Sequence, residues 1–221
     1  MTDDDRTRIK DRIIESMLPH VVFDGWTDKA LLAAIADALP DSDISPVIVK
    51  NYFTGGMVDV VDHYADWMDR RVEKDMATPR FKALGMTEKI ESCIKHRFQL
   101  ASAHRDAVRK LMAWLALPQN SLVAANMAWR TCSRVWYLSG DKSADFSHYS
   151  KRSLLVSVYG LTMLYWLGDE ADEQGDFPDT WSFLHRRLKN VVDMIMARRK
   201  FTGFVSDKTG PLFSKQAFQR R

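Results

Sequence analysis

Apolar residues recur at three- and four-residue intervals along almost all of the 221 residues, which is the period of an amphipathic α-helix. Ile9, Ile13, Ile14 and Met17 line one face of a first helix, which Pro19 is expected to end. A turn at Asp24-Gly25 and an N-cap at Thr27 introduce a second helix over Leu31, Leu32 and Ile35, closed by Pro40. Ser45-Pro46 reads as a cap followed by proline at the first helical position, opening a short third helix that ends by Gly55-Gly56. The fourth stripe is the clearest: Met57, Val60, Val61, Tyr64, Trp67, Met68 and Val72 share one face.

Thr78-Pro79 and Gly85 then break the pattern. A fifth helix starts at Thr87, followed by Glu88, and runs through Ile90, Ile94 and Phe98. A sixth covers Val108, Leu111, Met112 and Leu115. Pro118 to Ser121 form a turn before the seventh, Leu122 to Leu138, which Gly140 ends. The eighth runs from near Asp145, its cap, to Leu167. "GDEADEQGDFPD" (168–179) reads as an acidic surface loop. Trp181, Leu184, Leu188, Val191 and Ile195 lie on a ninth helix, and the pattern weakens after Lys200 at Gly203, Gly210 and Pro211. No strand and no internal repeat is legible. The expectation is an all-α fold: a three-helix, helix-turn-helix-like head (1–56), a body of about six longer helices (57–200) and a flexible basic-aromatic tail (201–221). This order resembles the TetR-type regulators, in which a small DNA-reading head precedes a ligand-holding bundle.

Charge changes that picture. Residues 1–62 hold 6 Lys and Arg against 12 Asp and Glu, a net of −6, while residues 181–221 hold 10 against 2, a net of +8. Phosphate neutralisation by Lys and Arg supplies most non-specific affinity for DNA. The third helix offers only Lys50, next to Val47, Ile48 and Val49 and behind Asp41 and Asp43. The head therefore has the shape of a reader without its cations. No nucleic-acid partner is expected, and a TetR-like transcription regulator with a small apolar ligand remains the alternative.

Two stretches, "LPHVVFDGWTDKAL" (18–31) and "VWYLSGDKSADFSHYSKRSLL" (135–155), resemble the ubiquinone-biosynthesis accessory family Coq nine, whose members look like TetR regulators that no longer bind DNA. "PQNSLVAANMAWRTCSRVWY" and "DTWSFLHRRLKNV" fit the same family, so the resemblance extends over roughly residues 6–200. It implies a non-catalytic lipid-binding protein, expected as a homodimer, that holds an isoprenoid lipid or ubiquinone precursor. It further implies presentation of that precursor to the demethoxyubiquinone hydroxylase. The contact with that partner falls on "ADFSHYSKR", with Asp145, Tyr149 and Arg152 carried over directly; His148 stands where the family commonly has Trp. Tyr137 and Lys151 adjoin the segment, making a polar rim around an aromatic contact. Eukaryotic members also dock on membrane through a separate C-terminal amphipathic helix, from which the short, Gly- and Pro-interrupted residues 201–221 depart. Here Arg198, Arg199, Lys200, Phe201 and Phe204 are the membrane-binding candidates, suited to weak adsorption on an anionic surface.

Ubiquinone precursors carry a long apolar tail, and each buried methylene is worth ~0.8 kcal/mol. A carrier needs a dry cavity near a membrane. The eighth helix, "LLVSVYGLTMLYWLG", is uncharged on every face and so is expected at the centre of the bundle, with Ser157, Gly160 and Thr162 leaving room. Met112, Trp114, Met127, Trp136, Tyr159, Met163 and Trp166, with Tyr165, are the candidate lining; packing alone accounts for any single one of them.

Catalysis finds little support. There is no G-x-S-x-G elbow, no phosphate-cradling glycine loop and no H-E-x-x-H pair, and His20, His63, His96, His104, His148 and His185 are scattered. No cofactor or metal is implied. Cys93 and Cys132 read as two buried thiols of a reducing compartment. The first twenty residues look like neither a secretory signal nor a transit peptide. Of two uncharged runs, Leu111 to Trp129 is split by the turn at Pro118 to Ser121, and Ser153 to Gly168, at 16 residues, is short of the ~20 of a spanning helix. The expected place is the cytoplasm, peripheral to the inner membrane, or the matrix side were the chain eukaryotic.

Overall fold

Thr2 opens the first helix of the computed structural model by a reciprocal cap, its hydroxyl accepting from the Asp5 amide while the Asp5 carboxylate accepts from the Thr2 amide. The structure describes residues 2–40, 46–141 and 146–209; the side chains of Val47, Phe146, Ser147 and 195–209 lie outside that description. Helix α1 (Asp3–Asp24) does not stop at Pro19 but runs through it. A proline costs one backbone hydrogen bond inside a helix. Here Met17, Leu18 and Val21, buried on either side of it, hold the segment against its neighbours. The helix ends where Gly25, at φ 70, donates its N–H to the Val21 carbonyl, a backbone conformation that glycine adopts at little cost.

Helix α2 (Asp28–Ala38) starts at the Thr27 cap. Helix α3 (Pro46–Lys50) is a bare five residues and is followed by turns rather than further helix. Those turns order the "NYF" aromatics: Arg6 lies over the Tyr52 ring and Lys10 over the buried Phe53 ring, at 5.6 and 5.0 Å. Helix α4 (Met57–Met76) buries the predicted stripe from Val60 to Val72. The Thr78-Pro79 break is itself a short helix, α5 (Pro79–Ala83), which plants Phe81 in the core under a Thr78 cap. Helix α6 (Met86–Ser102) is capped at Gly85, whose N–H donates to Glu88, and not at Thr87.

Helix α7 (Arg105–Leu115), a single 3-10 turn (Pro118–Asn120) and helix α8 (Ser121–Leu138) follow. Gly140, at φ 90, ends α8 while the next amide, of Asp141, reaches back to the Trp136 carbonyl, satisfying orphan carbonyls of the last turn. Helix α9 (Phe146–Gly168) is not central. One face is buried, and Leu161, Leu164 and Tyr165 on the other are exposed. Helix α10 (Pro178–Thr209) continues across 201–209, past the point where a loose tail is expected from sequence; residues 210–221 lie outside the described residues. Among the described residues there is no strand.

The acidic loop between α9 and α10 is structural. Asp169 accepts from both the amide and the hydroxyl of buried Thr180, and Asp176 accepts from the Trp181 indole. Arg105 closes the loop from α7 by donating to the carbonyls of Trp166 and Asp169.

Head and body are joined through α4. Its Asp62, Asp66 and Asp69 are spaced i, i+4, i+7, which puts them on one face. Arg130, Arg134 and Thr131 of α8 meet them in turn, Arg130 donating to Asp62 at 2.7 and 2.8 Å and Arg134 to Asp66 at 2.6 Å. Arg70 donates to Asp66 and, through both terminal nitrogens, to Asp11 of α1 at 2.8 and 2.6 Å. The Trp26 indole, from the head, donates to the Ala107 carbonyl of α7 at 3.1 Å.

Candidate functional site

Between α4, α6, α7, α8 and α9 lies a cavity of about 400 Å³, within the size range of small-molecule pockets. Short side chains make the room. Ala65 of α4, Ala101 of α6, Ala124, Ala125 and Ala128 of α8, and Gly160 of α9 all border it. Longer apolar side chains shape its walls: Val108, Leu111, Met112 and Leu115 from α7, Met127 from α8, and Val156 and Met163 from α9. Its rim includes exposed Ala116 and Ala125. Leu117 and Leu122, in and beside the α7–α8 turn that carries this rim, are 42% and 70% exposed.

Met112, Met127, Tyr159 and Met163 are thus brought together as the sequence pattern anticipates. Three other candidates do not line the cavity. Trp166 is fully buried in a stack on Phe98, 5.4 Å between ring centroids. Trp136 is buried and donates to the Lys151 carbonyl. Trp114 packs partly buried against the core. Of the small residues expected to leave room, only Gly160 does so. Ser157 is exposed, and Thr162 is buried with its hydroxyl donating to the Val158 carbonyl.

The cavity also has a polar end, which sequence reasoning missed. Arg97 of α6 is 6% exposed and Asp69 of α4 is 4% exposed. Arg97 Nε donates to Asp69 Oδ1 at 2.8 Å, and the Thr131 hydroxyl donates to the same carboxylate at 2.9 Å. Burial disfavours the Arg97 charge, but Tyr159 and Asp69 beside it outweigh that, and its pKa is raised above the ordinary value. Tyr64 and Tyr159, both lining the cavity, have pKa values raised by burial, so their hydroxyls stay protonated. Neither hydroxyl, and neither terminal nitrogen of Arg97, has a hydrogen-bond partner among the described residues. Among the described residues the buried side-chain atoms without partners are Arg105 Nε, Arg130 Nε, Arg152 Nε and Trp166 Nε1; the spare donors of this cluster belong instead to the accessible lining of the cavity. The readable signal was there. Arg97 falls on the apolar stripe Ile90, Ile94, Ala101, and Asp69 on that of Val61, Ala65, Val72, and a charge on a core stripe calls for a partner.

The partner segment divides. Tyr137 and Tyr149 are 73% and 61% exposed, and Tyr149 stacks on Trp129 with His148 edge-on to it. Lys151 pairs with Asp141 at 2.8 Å. Arg152 is not part of an exposed rim. It is buried, 3.5 Å from Asp141, and donates to the His148 carbonyl. Asp145 lies outside the described residues, as do the side chains of Arg198, Arg199, Lys200, Phe201 and Phe204, whose backbone is on α10. Cys93 and Cys132 are buried, their thiols pushed up to about 12 by burial, which makes them unreactive. Among the described residues no group of His, Cys, Asp and Glu is arranged to hold a metal ion, and no helix is long and apolar enough to cross a membrane.

A three-helix head on a helical body that encloses an apolar cavity defines the TetR-type fold. A TetR transcriptional regulator from Nitrosomonas europaea shares it, with a TM-score of 0.63 at 22% identity, over 82% of this chain and 97% of that one. Within that class the sequence is similar to one family. Residues 122–195 match the COQ9 family model. The ubiquinone biosynthesis protein COQ9 of Rattus norvegicus, a mitochondrial protein, is 24% identical over 85% of this chain and 60% of its own length. That of Drosophila melanogaster is 25% identical over 85% and 56%. A probable mitochondrial coq9 of Dictyostelium discoideum is 25% identical over 91% and 64%. The chain is thus similar in sequence to the COQ9 proteins and has a TetR-like fold, and it spans 56 to 64% of the length of these three.

Proposed function

We propose that this protein is a non-catalytic accessory factor of ubiquinone biosynthesis that binds an isoprenoid quinone precursor in the cavity between α4 and α9. It presents that precursor to the demethoxyubiquinone hydroxylase at an anionic membrane surface. The observation that carries this reading is the cavity itself, apolar along its walls and rimmed by small residues next to exposed leucines. The COQ9 relatives, named for ubiquinone biosynthesis, supply the pathway. At about 400 Å³ the cavity takes the ring and the first part of a tail; the rest of a polyisoprenoid leaves past Ala116 and Ala125 toward the lipid.

The hydroxylase meets the exposed aromatic step of Tyr137 and Tyr149, and the cations of 198–200 attract the membrane. A second copy covers the outer face of α9. That face is uncharged from Ser153 to Gly168, with Leu161 and Leu164 more than half exposed, so it pairs with its own like without burying charge.

Solvent extraction of the purified protein, followed by mass spectrometry, tests the reading. Wild type is expected to release an isoprenoid quinone or precursor, and Gly160→Leu is expected to release little or none, because a side chain at 160 extends into open space. A wild-type extract free of isoprenoid overturns the carrier.

A further inference from the structure

The apolar walls explain the retention of a hydrocarbon but not the cluster at the cavity's inner end. Arg97, Tyr64 and Tyr159 offer several donors to one cavity, and none of those donors is answered by a described residue. Thr131, the other polar side chain of the lining, is already committed to Asp69. We infer that Arg97, Tyr64 and Tyr159 form a head-group seat for a neutral oxygen acceptor, a carbonyl or phenol on an aromatic ring, so that the ligand enters ring first with its tail toward the rim. This rests on the reading of the cavity as a lipid site and adds its polarity, its direction and the residues that set them.

The sign of the charge selects the class of head group. Asp69 already balances Arg97 at 2.8 Å, so the polar end is a neutral pair with donors to spare. A carboxylate arriving there adds an uncompensated negative charge in an apolar enclosure, which is costly. A carbonyl takes the same donors and brings no charge. The Arg97 guanidinium carbon also lies 5.7 Å from the Tyr159 ring centroid, so donor and ring are held as one unit and need no rearrangement to meet a planar acceptor.

The test compares three probes that share a ten-carbon tail: a decyl-substituted benzoquinone, decylbenzene and decanoate, each titrated into the full chain stripped of lipid. Hydrogen bonds to charged donors are the stronger kind, so the quinone is expected to bind wild type about tenfold or more tighter than decylbenzene, and tighter than decanoate. Tyr64→Phe and Tyr159→Phe remove only a hydroxyl and are expected to reduce that preference. The double variant Asp69→Leu/Arg97→Met, which leaves no buried charge unpaired, is expected to abolish it while decylbenzene still binds. Equal binding of quinone and decylbenzene by wild type, or an unchanged preference in the double variant, overturns the head-group seat and leaves the cavity an undirected lipid site. Tighter binding of decanoate overturns the neutral class. Failure of all three probes overturns the lipid reading beneath it.

Discussion

The cations of the head and the one buried deepest in the body, Arg97, are used in different ways. In the head all six Lys and Arg of residues 1–62 are occupied internally. Arg8 pairs with Asp4, Lys29 with Asp24 and Lys50 with Asp28; Arg12 donates to the Ala38 carbonyl; Arg6 and Lys10 cover aromatic rings. The third helix, where a DNA reader spends its charge on phosphate, has its single cation turned back on α2. In the body, Arg97 sits far from solvent with donors left over. A cation in reach of water and paired is ordinary surface chemistry. Arg97 is paired as well, with Asp69, but its spare donors belong to the lining of a cavity. The head's cations are spent on its own acids and rings, while the body keeps donors to spare inside the bundle.

The sharpest way to break this contrast is at Asp69. Removing one partner of a buried pair leaves the other charge uncompensated, so Asp69→Leu is expected to lower unfolding free energy by ~3–5 kcal/mol, and adding Arg97→Met is expected to restore most of it. Urea unfolding of the two variants measures this; a near-neutral single variant shows that Arg97 finds water or another partner instead. A smaller effect is expected where head meets body. Burial works to raise the pKa values of Asp11 and Asp66, but hydrogen bonds from Arg70, with His63 at Asp11 and Arg134 at Asp66, lower both overall. Carboxylates with lowered folded values contribute stability fully above the ordinary range near pH ~4, and lose it as pH falls through the lower folded values. Stability measured from pH 7 down to 3 is expected to fall along that limb in wild type and less steeply in Asp11→Asn. The smallest effect belongs to the head. Asp28→Ala frees Lys50 and is expected to cost ~0–1 kcal/mol, the range of exposed pairs. Neither wild type nor this variant is expected to retard duplex DNA in a low-salt gel. Salt-sensitive retardation by wild type breaks the contrast outright.

The architecture was legible because long stripes repeat: the α4 face from Val60 to Val72 and the helical order down to α10 follow from period alone. What escaped has physical causes. Pro19 reads as a stop because a helix loses a bond there, yet packing of Met17 and Val21 on both sides outweighs one bond. α5 is too short to show a period, although Thr78-Pro79 is its own start signal. Within the site, Met112, Met127, Tyr159 and Met163 were readable as apolar and large, but the space they face is made by alanines, which carry no pattern of their own. Trp166 shows the converse: a large aromatic ring is as apt to fill a core as to line a hollow. Arg152 looked like surface because charged residues usually are, and only the fold reveals Asp141 beneath it.

The Asp11–Arg70–Asp66–Arg134 chain ties α1 to α4 and α4 to α8. A reading domain that swings to find its groove requires a loose neck, and here the neck is riveted. Amputating residues 1–56 would strip Arg70 of its double clasp on Asp11 and leave α4 without its partner in α1, so the head serves as a buttress for the bundle behind it.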